Sequence, residues 1–137
     1  MKRYFLIFLV AILSGFASLK AQSASYRTIF SCTTINGVKG DLKEDHTGRI
    51  KIDIKKKVIL ARVKAGFFIY DKDYDVRFII DSVKKEKSAD GIKTVYSCHY
   101  ANDSKAFVTV IDSFNTNKNR REVSFLNDNN VQMFVVK

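Results

Sequence analysis

Residues 49–60 read RIKIDIKKKVIL, and the phase of this short run decides the fold. Ile50, Ile52 and Ile54 stand at every second position, with Lys51, Asp53 and Lys55 between them. Successive side chains of an extended strand leave on opposite faces, so this spacing sends the isoleucines one way and the charges the other. A helix would scatter the same residues around its circumference. Lys56 and Lys57 break the rhythm, and Val58-Ile59-Leu60 opens a second apolar run. The stretch therefore reads as two strands joined by a short basic turn.

The same two-residue rhythm recurs along the chain. Strands are expected over 26–34, 49–55, 58–64, 66–70, 76–86, 92–101, 105–113, 121–126 and 131–136. Turn residues separate them: Asp90-Gly91, Asn102-Asp103-Ser104, Asn115 to Asn119, and Asn127-Asp128-Asn129-Asn130. Gly91 is expected to take positive φ in a tight hairpin. Residues 35–48, INGVKGDLKEDHTG, form the longest expected loop, with room for a short helical turn. Short links make neighbours in sequence antiparallel neighbours in space. The fold class is all-β: a single antiparallel meander domain forming a small closed or partly open barrel, with a two-sheet sandwich as the alternative. Closure would remove edges in a chain that has no proline to guard them.

Inward rows are expected at Ile50, Ile52 and Ile54; at Ile59, Ala61 and Val63; at Val76, Phe78 and Ile80; and at Ile92, Tyr96 and Cys98. Near the C-terminus Val123 and Phe125 are expected to face in, with Val131, Met133 and Val135. Two runs are apolar on both sides: Val58 and Leu60 flank Ile59, and Phe107 and Ile111 flank Val108 and Val110. Such strands are either covered by another layer or expose a contact surface.

The N-terminus reads MKRYFLIFLVAILSGFASLKAQSA. Lys2 and Arg3 precede an apolar run from Phe5 to Leu13, and small residues gather at Ala17, Ser18, Ala21, Ser23 and Ala24. That is the layout of a secretory signal peptide. A membrane span needs roughly 20 apolar residues, and Lys20 interrupts this one. The expected division is a signal peptide at 1–23, removed on export, and a single β-rich domain at 24–137. Lys2, Arg3 and Lys20 leave with the leader, so basic residues fall from 24 to 21 against 14 acidic ones, and the net charge falls from +10 to near +7. The expected location is periplasmic or secreted. Nucleic acid is scarce there, while anionic lipid, glycan and acidic protein are plentiful.

Cys32 and Cys98 are the two cysteines. An even count in an oxidising compartment permits one bridge, which would constrain the unfolded chain by roughly 4 kcal/mol. Both also end apolar alternations, as buried free thiols do. In DKDYD, Asp71, Asp73 and Asp75 could hold a hard cation weakly. The positions where a helix-loop-helix calcium site needs glycine and glutamate hold Val76 and Ser82, so that motif fails. No cofactor is expected. Phe78, Tyr96 and Tyr100 either pack the core or line a pocket for a small apolar ligand.

Lys51, Lys55, Lys84 and Arg120 form either a solvated face, with stems covering apolar surface, or an anion-facing rim. The lysine row has no exposed stacking aromatics between its charges, which argues against nucleic acid. His99 follows Cys98, and adjacent strand positions point to opposite faces, so the two make no nucleophile–base pair. No G-x-S-x-G, H-E-x-x-H or phosphate-binding glycine loop occurs, and no catalytic residue is assigned. The sequence thus points to an exported, non-enzymatic module that binds a small apolar ligand or an envelope or extracellular protein. The alternative is a structural or assembly component docking on another envelope protein through its two-sided strands. An integral outer-membrane barrel is disfavoured, because lysines and aspartates occupy the faces that would meet lipid.

Overall fold

The computed structural model of the chain describes residues 23–63, 74–114 and 121–137. Ten strands form one sheet: β1 (Ala24–Ile35), β2 (Val38–Lys39), β3 (Lys43–Glu44), β4 (Arg49–Asp53), β5 (Val58–Val63), β6 (Tyr74–Lys87), β7 (Gly91–His99), β8 (Lys105–Ser113), β9 (Arg121–Asn127) and β10 (Asn130–Val136). All pairings are antiparallel, and β10 pairs with β1 to close the sheet on itself. The result is a closed barrel, so neither the partly open form nor the sandwich applies.

Residues 35–48 depart from the expected loop. β2, β3 and β4 all lie along one edge of β1, opposite Thr34–Ile35, Phe30–Ser31 and Ala24–Arg27 respectively. They are three pieces of one interrupted strand, which leaves eight staves in the barrel: β1, β4, β5, β6, β7, β8, β9 and β10. No helical turn forms in this segment, because the twelve-residue β1 offers its backbone groups along the whole edge. Asn36-Gly37 makes the reversal, with φ of 49° and 81°, between the directly opposed Ile35 and Val38.

The other turns use polar residues in the left-handed region. Lys57 (φ 53°) ends the link between β4 and β5, where the Lys56 N–H donates to Asp53 Oδ1 at 3.1 Å. Asp103 (φ 65°) and Asp128 (φ 49°) serve the β7–β8 and β9–β10 reversals. Gly91 does not: among the described glycines only Gly37 has positive φ. A Cβ on Gly91 would sit 2.2 Å from the carbonyl oxygen of Asp112. Glycine is required there for the close approach of β7 to β8, which is a correction to the turn-based reading.

The alternation sorts the faces as physical chemistry demands. Ile50, Ile52, Ile59, Ala61, Phe78, Ile80, Tyr96 and Cys98 meet inside the barrel with Val108, Val110, Val123 and Phe125. Rings run through the centre: Phe78 lies 5.1 Å from both Tyr100 and Phe125, and Phe125 5.4 Å from Phe134, centroid to centroid. The phase of β10 is the reverse of the expected one. Phe134 stands opposite Val123 and Gln132 opposite Phe125, so Gln132, Phe134 and Val136 point in, while Val131, Met133 and Val135 point out. Single-residue bulges at Ile29 and Asp81 shift the phase within β1 and β6. The strand expected at 66–70 and the side chain of Val63 lie outside the described residues.

Candidate binding surfaces

The lumen comes first, because a small barrel can carry a ligand there. Phe78, Tyr96 and Tyr100 do come together inside it, with Phe78 and Tyr100 in ring contact. Burial pushes the Tyr96 phenol up to about 12, with smaller contributions from Tyr26, Asp112 and Cys98. At one mouth Arg121 pairs with Asp112, and its guanidinium lies 5.2 Å from the centre of the Tyr26 ring. Two polar side chains inside lack a partner among the described residues. Ser31 Oγ and both amide atoms of Gln132 are buried without a hydrogen-bond partner among the described residues. Thr28, equally buried, is satisfied: its hydroxyl accepts the Gly48 N–H at 2.8 Å.

The cysteines are free, which corrects the bridge. β1 and β7 are opposite staves, with three strands between them whichever way the barrel is followed. Cys32 stands opposite the outward Met133, whereas Cys98 stands opposite the inward Ala106. Each thiol finds a carbonyl instead, Cys32 at Gly40 (3.1 Å) and Cys98 at Tyr96 (3.6 Å). Burial, with a smaller push from Asp81, raises the Cys98 thiol to about 12, far from the thiolate that reactive chemistry needs.

Of the three carboxylates expected to hold a cation, Asp75 pairs with Arg62 at 3.0 Å. Asp71 and Asp73 lie outside the described residues. Among those residues no group of three or more His, Cys, Asp or Glu could hold a metal ion. His99 Nδ1 lies 2.9 Å from both carboxylate oxygens of Asp81, and His46 Nε2 lies 2.6 Å from Glu44.

The outer wall carries two surfaces of different chemistry. Lys51 faces out on β4, and Lys55 lies exposed in the turn that follows. Lys84 belongs to another region: it lies seven residues beyond Arg77 along β6, roughly 20 Å of strand, and pairs with Glu86 at 3.0 Å. Arg120 lies outside the described residues. The register instead gathers residues that no sequence pattern singled out. Arg27, Arg49 and Arg62 stand directly opposite one another across β1, β4 and β5, and the row ends at Asp75 on β6. The neighbouring row is Ser25, Lys51, Leu60 and Arg77. A groove of about 350 Å³ runs between them, lined by Ser25, Arg49, Ile50, Lys51, Leu60, Ala61, Arg62 and Asp75.

On the far side, four staves away, Phe107, Leu126 and Val131 form a continuous apolar row across β8, β9 and β10. Phe107 is 42% exposed and Leu126 38%. Met133 lies on the next row beside Ser124 and Thr109, and Ile111 on the row beyond, opposite Glu122. The two-sided run at 107–111 is thus an outer surface, with no second layer over it among the described residues.

Compared with known proteins, the chain matches no family model, no curated protein and no solved structure.

Proposed function

We propose that the protein is an exported, non-enzymatic β-barrel domain that binds an envelope or extracellular protein through the outer wall of β8, β9 and β10. The row Phe107–Leu126–Val131 carries this reading: apolar side chains aligned across three adjacent strands, with Phe107 and Leu126 open to solvent and Val131 half-buried, mark a contact surface. The aromatic rings packed through the lumen favour work on the outside of the barrel over carriage within it. The leader-like N-terminus supports export.

A photoreactive residue placed at Leu126 in the exporting cell tests the wall. It is expected to give a discrete protein adduct that a probe at Asn102 does not give and that Phe107→Ser abolishes. No adduct from position 126, or the same adduct from both positions, sinks the reading. A second reading, carriage of a small apolar ligand bearing one polar group, is favoured by the orphaned Ser31 and Gln132. Native mass spectrometry of the purified protein separates the two, since carriage predicts a retained non-protein mass.

A further inference from the structure

The arginine row has no part in the reading above. Directly opposed strand residues have Cβ atoms about 5 Å apart, and like charges so placed repel. Here Arg27 faces Arg49, Arg49 faces Arg62, and Lys51 and Arg77 flank Leu60 on the next row. Asp75 offsets Arg62. Among the described residues, no carboxylate lies within ion-pair distance of Arg27, Arg49, Lys51 or Arg77. The turn beside them adds exposed Lys55, Lys56 and Lys57.

The groove among these cations is not purely polar. Leu60, 45% exposed, lines it, while the bordering Ile50 and Ala61 turn their side chains into the barrel. A second depression of about 300 Å³ adjoins it, sharing Lys51 and Leu60 and adding Arg77. An exposed leucine inside a cationic rim matches an amphiphile, in which phosphate and hydrocarbon are neighbours. Planar guanidinium groups donate paired N–H bonds to phosphate oxygens, which suits Arg27, Arg49 and Arg77. Nucleic acid would want stacking aromatics, and the two rows carry none.

We infer that the outer wall of β1, β4, β5 and β6 docks on an anionic phospholipid membrane, with headgroup phosphates on Arg27, Arg49, Lys51 and Arg77 and with Leu60 turned towards the acyl boundary. The inference is independent of the apolar wall on the opposite side, and Phe107→Ser is expected to leave lipid binding unchanged.

Sedimentation with phosphatidylcholine vesicles, with and without phosphatidylglycerol, tests it. The purified protein is expected to sediment with the anionic vesicles only, and less so as salt rises. Arg49→Gln with Lys51→Gln is expected to weaken binding about tenfold or more, from the loss of two cations at the surface. Lys87→Gln with Lys93→Gln removes the same charge elsewhere and is expected to weaken it far less. Leu60→Asn is expected to weaken binding without changing charge. Melting curves establish that each variant folds. Equal binding to neutral vesicles, equal losses from both lysine-containing pairs, or release by inorganic phosphate equimolar with the lipid each overturns the proposal. The last outcome would assign the row to free phosphate.

Discussion

Gln132 is the residue whose placement costs the most and explains the least about folding. It is wholly buried, stands opposite Thr33 and Phe125, and has no bond for either amide atom among the described residues. An unsatisfied buried polar group costs about 1–3 kcal/mol. Gln132→Met keeps the volume and removes the polar atoms, so the melting temperature is expected to rise by a few degrees, from about 1 kcal/mol of added stability. A fall would mean that Gln132 bonds to something held inside the barrel. Two other buried groups set the response to alkali. The unfolded chain ionises a thiol near 9.0 and a phenol near 10.0, whereas burial holds Cys98 and Tyr96 neutral up to about 12. Between those limits the unfolded state holds fewer protons than the folded one, so stability falls as pH rises. The contribution is intact below about pH 9 and is lost progressively towards pH 12. Urea midpoints measured in reductant across that range should decline, and a midpoint that climbed would contradict the burial.

Elements show where local pattern suffices. Strict alternation at Ile50-Lys51-Ile52-Asp53 leaves one choice of face, and β4 takes it. The described strands β5 to β9 likewise fall within about two residues of the runs that their alternation and turn residues outline. β10 does not obey, because NVQMFVV is apolar in both phases and only Asn130 and Gln132 distinguish them, in the wrong direction. β2 and β3 are too short, at two residues each, to leave a rhythm. Gly91 belongs at this scale too. Its missing Cβ lets β7 start against the Asp112 carbonyl, so Gly91→Ala must push the two strands apart. A loss of roughly 1–3 kcal/mol in chemical unfolding is expected. An unchanged midpoint would show that glycine serves the turn alone.

Across the whole molecule, ring order governs which residues can meet. Eight staves place β1 opposite β7, with Cys32 facing out and Cys98 facing in. Both thiols are nevertheless buried, so they are expected to react with a thiol reagent only once the barrel is unfolded, two per chain. The mass after mild oxidation should show no internal bridge, and a loss of two protons with the fold intact would refute the opposition. Ring order also separates the two outer walls. β5 and β9 are opposite staves, so the cationic groove around Leu60 and the apolar row around Leu126 face away from each other. A barrel so built can lie on a charged surface with one side and hold a partner with the other.

Of the cationic wall, only Lys51 and the turn lysine Lys55 were legible residue by residue. Arg27, Arg49, Arg62 and Arg77 lie on four strands and look like ordinary solvated positions until register sets them side by side. The chain alone determined where its longer described strands run, though not β2 and β3, and, wherever greasy and wet residues alternate without exception, which side of each is buried. Both follow from the period-two geometry of neighbouring residues, which needs no distant partner. Tertiary structure decided the closure of β10 on β1, the phase of β10, the separation of the thiols and the gathering of the arginines. Each depends on hydrogen-bonded register between segments far apart along the chain, and a local rhythm carries no record of which strand will lie beside it.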